Sequence, residues 1–191
     1  MVTTNSGSRK VIRKIDLRLA KREGAETERN PRRVEYAITR QRLSSITDKT
    51  DDELLDHLID LGFNESNLEA MRYAPIAEVA WASGKVTQFE QVFAVSVAMS
   101  TDMLNAPMAS DLFQSWLTKR PPKTLWMVWE QYTLDCMSRS DRTRGQEFGR
   151  CLYEVAMRVA LASGGLLDQG EVCAAEQAVL DRIARVYNLS P

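Results

Sequence analysis

Two stretches, AEVAWASGKVTQFEQ at 77–91 and MRVALASGGLLDQGEVCAAEQ at 157–177, decide how this chain folds. Each runs an apolar segment into a small-residue stop, Ser83-Gly84 in one and Ser163-Gly164 in the other. A turn follows, and then a segment in which Gly, Val, Glu and Gln recur in register, GKVTQFEQ against GEVCAAEQ. The second copy inserts GLLDQ before it rejoins at Gly170. Thr87 with Glu90 forms a capping-box signature, in which each residue of the pair satisfies a free amide of the other at a helix start. Cys173 with Glu176 is a weaker version, since cysteine is a poor substitute for Ser or Thr as a cap. Each copy therefore reads as an αα-hairpin. One hairpin cannot bury its apolar face alone, so the two copies are expected to pack on each other about a pseudo-twofold axis. The spacing is too long and the copies too few for a solenoid.

Working outward, the pattern stays helical from residue 32 onward. RRVEYAITRQRLSSI places Val34, Ala37, Ile38 and Leu43 near one face. DDELLDHLIDL starts at Asp51 or Asp52, acidic residues suited to a helix N-terminus, and stops at Gly62. Asn64 or Ser66 is positioned to cap the next segment, within which Pro75 starts a fresh helix because proline is tolerated in a first turn. Further helices open near Pro107, Thr124, Arg144 and Cys173. The expectation is all-α: a compact bundle of about seven or eight helices built around the two hairpins, with short connections that make sequence neighbours antiparallel. Trp116, Trp126, Trp129 and Tyr132 lie between the copies and are expected to fill the core there, with a partner groove as the alternative.

Charge divides the chain. The formal net charge is only −1, but residues 1–45 carry 12 Lys+Arg against 5 Asp+Glu, while the rest is acidic. Within this arm Val11, Ile15 and Leu19 form a stripe flanked by Arg9, Lys10, Arg13, Lys14, Arg18, Lys21 and Arg22, the pattern of a short basic amphipathic helix. EGAETERNPRR reads as a linker, which divides the chain into an arm over 1–31 and a helical domain over 32–191. The arm is open to several readings: a clasp on the acidic body, a protein contact, or an anionic surface of nucleic acid or membrane lipid met through residues 9–22.

Catalytic chemistry is poorly provided for. His57 is the only histidine, so most His-based chemistry is removed. Cys136 and Cys151 are expected at apolar helix positions, and Cys173 at a helix N-terminus, where a thiol can become reactive. Three cysteines without C-x-x-C spacing fit a reducing cytosol. No stretch reaches the length of a spanning helix, and the expectation is a cytoplasmic, non-enzymatic protein with no small-molecule substrate and no cofactor.

VAWASGKVTQFE at 79–90 and ASGGLLDQGEVCAAE at 162–176 resemble the tellurite-resistance TerB-like family, whose pattern A-D-G-x-[IV]-[ST]-x-x-E sits between two helices and is used twice. The likeness is to a bacterial branch of that family and covers about residues 52–190. It implies an all-helical module in stress-response or envelope-linked complexes, with divalent-cation binding through acidic loop residues in some members. Ser83 and Ser163 stand where the family has Asp. In the second copy Asp168, Glu171 and Glu176 offer three carboxylates for a cation, against the 6–8 oxygen ligands that calcium typically takes. The bottom-up role of Glu90 and Glu176 remains the capping box. The functional expectation is a scaffold or adaptor that binds a protein partner. The alternatives are a divalent-cation-responsive sensor at the 163–176 turn and an anionic-surface binder working through the arm.

Overall fold

A computed structural model describes residues 31–47, 51–99, 105–139, 141–162 and 171–189. Its described residues form eight α-helices and a 3-10 segment, with no strand among them. Helix α1 covers 31–46 and α2 is Asp52–Asp60. The 3-10 segment Leu68–Tyr73 runs into α3, Ala74–Ala82. Then follow α4 (Gln88–Met99), α5 (Pro107–Thr118), α6 (Thr124–Arg139), α7 (Arg142–Ala162) and α8 (Ala174–Val186). The two sequence copies are the pairs α3–α4 and α7–α8.

Helix α3 is the centre of the bundle, and its composition says why. APIAEVAWA is apolar on nearly every side, and Ala74, Pro75, Ile76, Ala77, Val79 and Ala80 are all buried. A helix that is apolar all round must be surrounded, and its small residues let neighbours come close. It packs against α4, α5, α6, α7, α8 and the 3-10 segment. Its single charged residue, Glu78, faces Arg120 at 3.8 Å, and burial raises its pKa despite the cations nearby. By contrast α7 buries a stripe, Gly149, Leu152, Ala156, Val159 and Ala160, at helical spacing.

The helix ends follow local chemistry. Asp51 caps α2 by accepting the Glu53 amide, and Gly62 ends that hairpin arm with φ +84°, a conformation that favours glycine. Gly84 does the same after α3 at φ +97°. Pro75 lies in the first turn of α3, as the sequence suggests. Neither Asn64 nor Ser66 caps the following segment. The Asn64 carboxamide instead accepts the Ser66 amide (2.9 Å), and Asn67 ties the loop by accepting from the Asn64 amide (2.8 Å) and donating to Gly62 O (3.1 Å).

The Trp-rich section enters the core as an unbroken string of ring contacts. It runs Phe63–Trp116–Phe113–Tyr73–Phe148–Tyr187–Trp129–Trp126, mostly edge-to-face at 6.0–6.5 Å, and ends in Trp126 stacked on Trp129 at 4.5 Å. Trp129 and Trp116 are buried, whereas Trp126 is half-exposed under the Arg182 guanidinium. Tyr132 is also half-buried.

Burial departs from helical period at two places. Of the apolar positions in α1 only Leu43 reaches the core; Val34, Ala37 and Ile38 are exposed. Helix α1 is held along a polar edge instead. Tyr36 and Arg40 reach Asp56 at 2.7 and 2.8 Å, Arg40 also pairs with Asp52 at 2.9 Å, and Arg42 pairs with Glu65. Cys151, expected at an apolar position, is exposed on the outer side of α7.

Magnitudes decide which contact anchors α1. Exposed ion pairs contribute about 0–1 kcal/mol, while truncating a buried leucine costs about 2–5 kcal/mol. Leu43→Ala is therefore expected to lower the unfolding free energy several-fold more than Arg40→Ala in a urea titration. Equal losses would mean that the Arg40–Asp56 pair is the main anchor.

Candidate functional site

Among the described residues a cleft of about 590 Å³ opens where the 3-10 segment, α6, the start of α7 and the end of α8 meet. Helix α6 lines it with Tyr132, Thr133, Cys136 and Met137, one face of two successive turns. Helix α7 adds Arg144, Gly145 and Phe148, the 3-10 segment adds Glu69 and Arg72, and Tyr187 closes α8. The volume falls within the range of about 300–1,000 Å³ typical of ligand pockets. A mixed lining of rings, hydroxyls and guanidinium groups suits an amphipathic occupant.

Local structure holds each group in place. Asp141 caps α7 through the Thr143 amide at 2.9 Å, which sets the helix start that carries Arg144. Arg72 pairs with Glu69 at 2.5 Å, three residues back, and lies over the Phe148 ring at 4.3 Å. Arg144 is exposed and makes no ion pair among the described residues.

The electrostatics favour neutral hydrogen-bonding groups. Burial pushes the Tyr132 phenol well above its usual range, helped by its hydrogen bond to Cys136. Burial raises the Cys136 thiol, against the hydrogen bond from Tyr132 and the nearby arginines. Burial likewise pushes Tyr187 up to about 12, with a Thr133 hydrogen bond opposing it. At neutral pH all three keep their protons. A raised thiol is the reverse of what a cysteine nucleophile needs.

The candidate residues read from the sequence fall elsewhere. Arg9, Lys10, Arg13, Lys14, Arg18, Lys21, Arg22 and Asp168 lie outside the described residues. Glu171 is exposed, and Glu176 is buried at the start of α8. Both capping boxes form. The Thr87 amide donates to Glu90 Oε2 (2.6 Å) and the Glu90 amide to Thr87 Oγ1 (3.3 Å). The Cys173 amide donates to Glu176 Oε2 (2.8 Å), and the Glu176 amide to Cys173 Sγ at 3.5 Å. Among the described residues no group of three or more His, Cys, Asp or Glu is arranged to hold a metal ion, and no helix is long and apolar enough to cross a membrane.

Sequence reasoning missed the cleft. Its lining is spread from Glu69 to Tyr187, and no short motif links those positions. One signal was present: Tyr132, Cys136 and Met137 share a helix face on which apolar and hydrogen-bonding groups alternate, unlike the purely apolar stripe of a core helix.

No family model, curated protein or solved structure matches this chain. The TerB-like resemblance therefore rests on the two stretches 79–90 and 162–176.

Proposed function

We propose that this chain is a non-catalytic helical adaptor that binds a protein partner, with the cleft beside Tyr132 and Arg144 as its recognition element. The observation that carries this reading is the lining itself. An aromatic floor of Phe148 and Tyr187 gives apolar contact, three neutral donors fix orientation, and the unpaired Arg144 offers a cation at the rim. Aromatic and arginine groups around a pocket are the residue types that dominate protein interfaces. The raised thiol of Cys136 adds no nucleophile to it. The stress-response or envelope-linked setting implied by the TerB-like resemblance is compatible with an adaptor role.

The test is affinity capture from native lysate at low and high salt with three full-length proteins. These are the wild type, Arg144→Glu with Tyr132→Ala, and a form with the seven arm cations changed to Gln. The adaptor reading expects the same protein to be recovered with the wild type and the arm variant but lost with the cleft variant. Loss confined to the arm variant, with nucleic acid or lipid bound only at low salt, would move recognition to residues 9–22, because phosphate contacts weaken steeply with salt.

A further inference from the structure

Arg144 is a cation that the described structure leaves uncommitted. It stands in the first turn of α7, where a helix's own dipole disfavours positive charge, and no acidic residue shares that turn. It is exposed, lines the cleft and makes no ion pair among the described residues. The other charges of the cleft are engaged. Arg72 is held by Glu69 at 2.5 Å and lies over the Phe148 ring at 4.3 Å, and the Asp141 carboxylate accepts the Thr143 amide at 2.9 Å. A dianion such as a phosphate would meet Arg144 with Glu69 and Asp141 lining the same cleft, and both would repel it. A single carboxylate answers the one free cation.

The wall next to that cation is apolar. Phe148 follows Arg144 by four residues, on the same face of α7, and meets Tyr187 edge-to-face at 6.1 Å. Gly145 keeps the space between α7 and α6 open, since a Cβ there would lie 3.3 Å from Met137 Cε. Across the cleft, Tyr132 and Cys136 are one turn apart on α6 and share a hydrogen bond. That bond uses one of their two protons and leaves the other, with spare lone pairs, for an occupant. A donor beside acceptors matches a peptide unit, which carries one N–H and one C=O.

We propose that the cleft takes an extended peptide segment of the partner, in which one carboxylate stands two residues from a large apolar side chain. This rests on the adaptor reading and names the chemistry of its partner. The carboxylate pairs with Arg144, the apolar side chain lies against Phe148 and Tyr187, and the backbone between them meets Tyr132 and Cys136. The spacing follows from geometry. Four residues of helix rise about 6 Å, and side chains two apart on an extended chain share a face about 6.6 Å apart.

The test is selection of a random peptide library, displayed on phage, against the full-length protein, with Arg144→Gln selected in parallel. The wild type should enrich peptides with Asp or Glu two positions from Phe, Trp, Leu or Met, and Arg144→Gln should not. An enriched peptide, blocked at both ends, is then titrated in solution. Its affinity should fall about tenfold on Arg144→Gln, the scale of one charge-assisted hydrogen bond, and about tenfold when its acid becomes the amide. Both changes together should cost little more than either alone, as for two halves of one contact. Gly145→Leu places a helix-favouring side chain in the cleft and should abolish binding. Absence of enrichment over Arg144→Gln, additive losses, or full binding by Gly145→Leu would each overturn the proposal, and the Arg144 series decides even if Gly145→Leu fails to fold. Selected peptides without an acid, alongside lysate capture that still depends on the cleft, would overturn this inference and leave the adaptor reading standing.

Discussion

Trp129→Ala is expected to cost about 3–5 kcal/mol, the range for removing a large buried aromatic ring. For a chain of this size each kcal/mol lowers the melting temperature by about 2–4 °C. Trp129 is fully buried, stacks on Trp126 and touches Tyr187. Its removal breaks the aromatic string between α6 and the end of α8 and leaves a void that close-packed helices fill only in part. Trp129→Phe separates packing from hydrogen bonding. The indole Nε1 is buried and donates to nothing, so the smaller ring gives up volume but no polar contact. Chemical denaturation should show a loss for Phe well below that for Ala. Equal losses would mean that the indole N–H is engaged after all.

Gly149→Ala is the second large effect, expected to destabilise by about 1–3 kcal/mol through overpacking. Gly149 is buried on α7, and a Cβ there would lie 2.2 Å from Tyr187 Cγ and 2.5 Å from its Cβ. No rotation of the ring relieves a clash with Tyr187 Cβ, so either α8 moves away or Tyr187 leaves its place against Phe148 and Trp129. Because Tyr187 also lines the cleft, the same change should reduce partner capture while the helix content measured by circular dichroism stays near wild type. Unchanged melting and unchanged capture would show that α7 and α8 separate without cost. Trp129→Ala and Gly149→Ala converge on Tyr187, so their combined loss should fall short of the sum, as for residues that share a contact.

The helices themselves were largely legible. Asp51, Thr87 and Cys173 mark starts that the structure keeps, and Gly62 and Gly84 mark stops at positive φ. These are local signals, settled within one turn of chain. Where the reading failed, the deciding partner was distant. The apolar positions of α1 look inward by period, but Asp52 and Asp56 of α2 draw its polar edge instead and leave Val34 and Ile38 exposed. Exposed Cys151 shows the same limit: helical period names a face, and only the neighbours say whether that face is covered.

The sequence by itself determined the all-α class, the repeated hairpin and the capping role of Glu90 and Glu176, because hydrophobic period and cap chemistry act over three to seven residues. Only the tertiary structure decided that the same two glutamates are fully buried with an oxygen each to spare. It alone assembled the cleft from Arg72, Tyr132, Arg144 and Tyr187. Burial and concavity are properties of packed surfaces, and those surfaces are brought together by residues far apart in the chain.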